Sequence, residues 1–399
     1  MAKELKMGLQ GFNRNRNVEL LKGGKPFFNC FHKLISSAKE TIQLQVYIFS
    51  SDETGKWISE ALIEAAKRGV KVYIVVDGYA SQSLSARIMH EWKTAGINFR
   101  FFEPLFKSRH YYFGRRLHHK MLVVDAKYAL VGGINIADRY NDIGGIPAWL
   151  DFALYTEGEV VKELCILAWK TWNGFAFNAN LPSCESLEMQ NVSQDANVWV
   201  RMRRNDWVRR KNQISRTYLE IFKTAQSQIT ICCSYFLPGR ILKRNIKDAI
   251  ARGVKVRVIL AGLSDVMIAK HAERFMYDWL LRNKVTIYEY EENVLHAKIA
   301  VSDGEWMTVG SYNVNSLSAY ASIELNLDVK DKAFACKVEN ELDAIIKTQC
   351  EEITLETHQR STNLFVQFRR WVSYYIIRLL FKLFTFYFRQ EKIPADKKN

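Results

Sequence analysis

The sequence has no C-x-x-C pair, no Walker-type phosphate loop and no acidic cluster of the kind that holds a divalent ion. The first absence argues against a zinc ribbon or a paired redox thiol, and the others give the expectation of no metal and no cofactor. Seven cysteines stand at 30, 165, 184, 232, 233, 336 and 350, an odd number with two of them adjacent. They read as reduced, buried thiols of a cytoplasmic protein and not as a disulfide framework. The first residues, MAKELKMGLQGFNRNRNVELL, lack an apolar run followed by a small-residue cleavage site, so no secretory signal is expected.

What is present is average in bulk and unusual in charge. Of 399 residues, 48% are hydrophobic and 25% charged, a globular composition with enough chain for two similar halves. Lys and Arg number 57 against 42 Asp and Glu, a net charge of +15, which suits a polyanionic partner. Charge alone leaves open nucleic acid, an acidic membrane surface or a generally basic solvated exterior.

The chain repeats itself. RGVKV at 68–72 is followed by YIVVDG, and RGVKV at 252–256 by RVILAG. Each lies between an amphipathic helical pattern and a β-branched run, which predicts helix, glycine turn and buried strand. An earlier strand, TIQLQVYIF from Thr41, recurs as QITICCSYF from Gln228. Strands alternating with helices predict two α/β sandwich halves. We place them at 1–195 and 196–357, followed by a basic, aromatic tail at 358–399.

The repeat also carries chemistry. His118-His119-Lys120 leads to Asp125, Gly132, Gly133 and Asn135; His296-Ala297-Lys298 leads to Asp303, Gly310, Ser311 and Asn313. In both copies lysine is 2, aspartate 7, glycine 14 and asparagine 17 residues after the histidine. Histidine and lysine two apart on a strand share a face, so both can meet one phosphate, whereas His119 points the other way and reads as structural. Asp125 and Asp303, at turns, read as turn and packing residues. Asp151, 33 after His118, and Glu324, 28 after His296, are better placed to fix an imidazole tautomer.

This double H-x-K-x4-D-x6-G-[GS]-x-N pattern resembles the phospholipase D superfamily over nearly all of the chain to about residue 357. Within it, DGYASQSLS, SYFLPG and GSYNVNSLS with ELNL look most like the short bacterial cardiolipin synthases. The resemblance implies one active site shared by the two halves and a metal-independent phosphatidyltransferase. His118 would be the nucleophile and His296 the acid/base. Lys120, Lys298, Asn135 and Asn313 would hold the phosphoryl oxygens, and Ser311 would add a hydroxyl on one side only. The resemblance supports Asp151 and Glu324 as orienters, and implies transfer from a phospholipid donor to the hydroxyl of an acceptor such as phosphatidylglycerol, with cardiolipin or a related lipid as product; phosphatidylglycerol, and phosphatidylethanolamine after it, are the implied lipid substrates. Hydrolysis by the same site, or a nuclease of the same superfamily, are the alternatives; nucleic acid is the less expected partner.

The tail decides between membrane and nucleic acid. LFVQFRRWVSYYIIRLLFKLFTFYF carries polar residues every three to five positions on a lipophilic helix, too cationic to cross a bilayer at about 2.5–3.5 kcal/mol per charge near the centre. It reads as an interfacial helix with Arg370, Arg378 and Lys382 at headgroups; packing on the protein's own core is the alternative. The basic, aromatic stretch 106–117, including Arg115 and Arg116, is a second candidate membrane contact, unless it is an ordinary solvated loop. The expected location is the cytoplasmic face of the bacterial inner membrane, as a peripheral or monotopic protein.

Overall fold

The computed structural model describes residues 9–104, 115–175, 182–184, 198–315, 322–360 and 363–386, with side chains to residue 380. The first half runs β1 (Asn13–Lys22), α1 (Lys25–Ser37), β2 (Thr41–Val46), α2 (Glu53–Lys67), β3 (Lys71–Asp77), α3 (Ala86–Thr94) and β4 (Asn98–Phe102). It continues with β5 (Arg116–Leu117), β6 (Met121–Val124), β7 (Tyr128–Gly132), β8 (Phe152–Gly158) and α4 (Glu159–Trp172).

The second half repeats the plan with β9 (Val198–Asp206), β10 (Lys211–Asn212), α5 (Gln213–Thr224), β11 (Gln228–Cys233), α6 (Arg240–Ala251), β12 (Lys255–Leu263) and α7 (Met267–Arg282). Then come β13 (Thr286–Val294), β14 (Lys298–Ser302), β15 (Trp306–Gly310), β16 (Ser322–Lys330), α8 (Lys332–Gln349) and β17 (Cys350–Ile353). Two helices follow, α9 (Leu355–Arg360) and α10 (Leu364–Phe386). The boundary at 195 lies outside the described residues, and residue 358 falls within α9.

The twin RGVKV segments behave alike because the same chemistry ends each helix. Gly69 and Gly253 sit at φ +91 and +93, the left-handed turn that lets the chain leave α2 or α6 and enter β3 or β12. Side by side, β4, β3, β2, β6, β7 and β8 form one set, with parallel pairs among the first three strands and antiparallel pairs after them. β13, β12, β11, β14, β15 and β16 form its counterpart. The halves meet through β8–β1–β9–β16, all antiparallel.

A shared core lies along this junction: Met121, Val131 and Leu154 of one half and Ile299, Val309 and Leu325 of the other belong to one buried cluster covered by α4 and α8. Each such side chain contributes about 2 kcal/mol relative to exposure, so the halves are bound as firmly as each is built. Separate cores lie beneath the outer helices of each half.

One expectation is corrected here. Cys165 on α4 and Cys184 are joined by a disulfide, both buried, while Cys30, Cys232, Cys233, Cys336 and Cys350 are free. Cys184 lies against α4, which brings together two cysteines 19 residues apart that sequence spacing does not mark as a pair.

Candidate active site

Each signature begins on a short extended link and not inside a strand: His118 to Lys120 connect β5 to β6, and His296 lies between β13 and β14, two residues before Lys298 at the start of β14. Alternation nevertheless holds. His119 is fully buried, with Nδ1 3.0 Å from Gln45 Oε1 on β2, while Lys120 turns with His118 the other way.

Two short cross-half pairings put the histidines in place. β5 pairs in parallel with the start of β16, and His118 N donates to Ile323 O at 3.0 Å. Likewise Leu150 bridges to Leu295, and His296 N donates to Leu150 O at 2.8 Å. The residue following each partner is a carboxylate. His118 Nδ1 lies 2.8 Å from Glu324 Oε2, and His296 Nδ1 lies 2.6 Å from Asp151 Oδ2. Each histidine is thus oriented by the carboxylate of the other half, leaving both Nε2 atoms for chemistry.

The two pairs are not copies. Ser311 donates to Glu324 Oε2 at 2.5 Å and accepts from Leu325 N at 3.0 Å, so its hydroxyl positions the carboxylate behind His118. Its counterpart is Gly133, where a Cβ would stand 2.3 Å from Asp151 Oδ1. The shorter aspartate occupies the space that the serine fills opposite the longer glutamate. Gly132 and Gly310 answer to a different need: a Cβ at either would lie 2.4 and 2.2 Å from Phe152 O and Leu325 O of the adjoining strand.

Lys120 and Lys298 are both buried, each with Nζ turned back to the carbonyl of its own histidine. Burial lowers the Lys120 ammonium to about 7, against the pull of Glu324 and helped by Lys298. Burial likewise lowers Lys298, with Asp151 opposing it. Lys298 Nζ also lies 3.0 Å from His296 Nδ1 and 3.3 Å from Ser234 Oγ. Burial lowers His118, which Glu324 opposes, and lowers His296 further, so both imidazoles rest neutral. Asp151 is raised by burial to about 7, opposed by Lys298. Two neutral imidazoles beside two crowded lysines make a site that favours an anion.

Asn135 is tied on both sides: Oδ1 accepts from Ile48 N at 3.1 Å, and Nδ2 donates to Tyr140 OH at 3.0 Å. Asn313 Oδ1 accepts a weak bond from Cys233 Sγ at 4.0 Å. Asp125 accepts from the backbone N of Lys39, Glu40 and Thr41. Asp303 accepts from those of Gln226, Ser227 and Gln228. Both clamp turns away from the histidines.

Sequence reasoning did not name Tyr47, whose ring meets His118 edge-on at 4.8 Å with Lys120 Nζ 5.0 Å above it, nor Tyr140, 5.2 Å from His296. A signal existed for Tyr47: aligning the repeated strands, Thr41 with Gln228, sets it opposite Ser234, which meets Lys298. Asp77 was missed too; it accepts from Leu117 N at 2.8 Å, steadying the residue before His118.

Among the proposed membrane contacts, several are corrected. Arg115 is buried, paired with Asp206 at 3.0 Å and set over the Phe102 and Phe175 rings. Arg116 pairs with Asp77 at 3.5 Å and donates to Glu103 O. Both link the halves or brace the site; the preceding residues 106–114 lie outside the described residues. Arg370 is also buried, because α10 packs its polar stripe onto α7, whereas Arg378 is exposed. Lys382 lies past residue 380, beyond the described side chains.

The family model for "Cardiolipin synthase, PLD-like domain" matches residues 31–143 and 218–346, one match over each signature. The chain belongs to this phospholipase D-like family of cardiolipin synthases. It is 31% identical over 346 residues to cardiolipin synthase B of Shigella flexneri, covering 86% of this chain and 83% of the relative. It is 33% identical over 350 residues to cardiolipin synthase B of Salmonella typhi, with the same coverage of both. The phosphatidylserine synthase structure from Haemophilus influenzae superposes with a TM-score of 0.72 over 96% of this chain and 98% of that one, at 16% identity, which shows the fold. The site is therefore that of a phospholipase D superfamily phosphatidyltransferase.

A pH dependence follows from these groups. Above about pH 7 Lys120 loses its charge, which would otherwise be available to a bound phosphate, and the Asp151–His296 pair loses its spare proton. Both losses act in one direction, so kcat/KM on a soluble phosphodiester falls as pH rises through neutrality. Lys120→Arg, which stays charged, removes one of the two losses and leaves a shallower fall set by the Asp151–His296 pair; a flat profile of the unmodified protein through neutral pH contradicts the assignment.

Proposed function

We propose that the protein makes cardiolipin or a related phospholipid by moving a phosphatidyl group from a phospholipid donor to the hydroxyl of an acceptor such as phosphatidylglycerol, through a phosphohistidine. The observation that carries this reading is the pair of neutral imidazoles, each locked at Nδ1 by a carboxylate of the other half and flanked by a buried lysine. His118 Nε2 attacks phosphorus while the P–O bond to the leaving alcohol breaks, and that oxygen takes a proton from the His296–Asp151 pair. The acceptor hydroxyl then attacks phosphorus, its proton passes to His296, and the P–N bond breaks. Asp151, held near neutrality, suits the His296 pair to carry that proton, while Glu324, held by Ser311, supports His118 as nucleophile. Lys120 and Lys298, with Asn135 and Asn313 beside them, stabilise the charge on phosphorus. Incubation with mixed phosphatidylglycerol and phosphatidylethanolamine vesicles, followed by lipid mass spectrometry, tests donor and product; robust DNA cleavage with no lipid product overturns the reading.

The substrates lie in a membrane, and α10 is built to meet one. Among the described residues no helix is long and apolar enough to cross a bilayer. α10 packs on the body through Arg370, Ser373 and Ile377, leaving Leu364, Phe365, Phe368 and Leu379 between 56% and 85% exposed. The inward stripe reverses the expected contact of Arg370 with headgroups, yet the apolar face remains free to enter the acyl boundary, with Arg378 beside it. We place the protein on the cytoplasmic face of the bacterial cell membrane. Phe365→Glu, Phe368→Glu and Leu379→Glu together lower flotation with anionic vesicles by at least about a hundredfold in affinity, given about 2 kcal/mol for each large side chain withheld. Unchanged flotation removes α10 from the membrane contact.

A further inference from the structure

A second cavity lies outside the two-histidine site. It measures about 870 Å³ and is enclosed by α5, the start of α6, the segment after Ser311 and the inner side of α10. Its charge is one-sided: Arg216, Arg240, Lys243 and Arg378 line it, and no carboxylate does. Among the described residues none of these four pairs with a carboxylate. Lys243 Nζ instead lies 3.3 Å from Met276 Sδ and 4.9 Å over the Trp279 ring. Burial and then Arg378 hold the Lys243 ammonium below its ordinary range, the mark of cations gathered without a counter-ion. The lining also holds apolar side chains, Leu219, Leu237, Val314 and Ile377 among them, beside tyrosines and a few uncharged polar groups. The cleft thus offers cations for an anion and apolar surface for hydrocarbon, and Ile377 and Arg378 place it on the same helix as the exposed Leu379 and Leu380.

We propose that this cleft binds one anionic phospholipid as a non-catalytic ligand, its phosphate held by Lys243 and Arg378 and its chains running along Leu237 and Ile377 toward the outer face of α10. The inference rests on the phospholipid reading of the protein only for its choice of ligand. A free phosphate would satisfy the cations and leave the apolar wall wet, and a zwitterionic lipid would bring its phosphate together with a headgroup cation that Arg216, Arg240, Lys243 and Arg378 repel. Position gives the site a consequence. Tyr312 and Val314, which line the cleft, flank Asn313, and Leu237 N donates to Val314 O at 2.9 Å. Lipid in the cleft therefore braces the second signature from behind while tying α10 to the catalytic body.

The test uses the full chain with His118→Ala, so that turnover does not consume the probe, in neutral detergent. Native mass spectrometry counts bound short-chain phosphatidylglycerol, phosphatidylcholine with the same chains, and inorganic phosphate. Phosphatidylglycerol is expected at two sites, and adding Lys243→Ala with Arg378→Ala weakens one of them by roughly thirtyfold, the fold-change expected for two cations near a lipid phosphate. Arg378→Glu, which gives Lys243 a partner and keeps the thermal midpoint, also empties that site. Full occupancy in both variants overturns the proposal, as does equal binding of phosphatidylcholine or occupancy by phosphate alone. Cardiolipin formation by the unmodified protein is measured separately, so loss of that activity reading leaves the lipid count to stand or fall by itself.

Discussion

His118→Ala and His296→Ala each lower phosphatidyl transfer by about four to six orders of magnitude, and the double variant is scarcely slower than either. In the proposed mechanism one imidazole bonds to phosphorus and the other handles the proton of the alcohol, so neither half-reaction proceeds with one of them missing. The fold survives both changes: each side chain sits at the edge of the shared cavity, and the backbone bonds of His118 and His296 to Ile323 and Leu150 remain. His119→Ala provides the contrast. That residue faces Gln45 in the core, so its loss costs stability and leaves the chemistry largely intact. Parallel measurement of thermal midpoint and turnover separates the two outcomes, and substantial turnover by either catalytic variant ends the two-histidine mechanism.

Those two histidines were legible in the sequence because the motif occurs twice at the same spacing, and a spacing kept through lysine, aspartate, glycine and asparagine records a repeated local geometry. Asp125 and Asp303 were legible as turn residues for the same reason. What spacing cannot record is which half a side chain meets across the junction. Arg115 sits in a basic, aromatic stretch that reads as surface, yet its partner Asp206 belongs to the second half. Arg370 lies on a stripe that reads as facing lipid headgroups, yet α7 covers it. The disulfide between Cys165 and Cys184 is set by where residue 184 returns, which no periodicity reports. Tyr140 carries no motif of its own and is found at His296 only because Asn135 holds its hydroxyl.

The carboxylates are the sharpest case, and they yield the second large effect. Measured along the chain, Asp151 follows His118 and Glu324 follows His296, so spacing groups each with the histidine of its own half. The pairings β5 with β16 and Leu150 with Leu295 exchange them. Asp151→Asn and Glu324→Gln each reduce turnover by up to about 10⁴-fold, since an amide in either place permits the wrong tautomer and withdraws support from the imidazolium. Double-mutant cycles on a soluble diester then reveal the exchange. Within the pairs His118/Glu324 and His296/Asp151 the losses overlap, because a missing histidine leaves its carboxylate nothing to orient. Asp151→Asn and Glu324→Gln combined fall further than either alone, since they disable different imidazoles. Ser311→Ala supplies the finer test: its hydroxyl touches Glu324 and not Asp151, so its effect disappears in Glu324→Gln and persists in Asp151→Asn. Coupling of His118 to Asp151 and of His296 to Glu324 instead would mean that each half orients its own histidine.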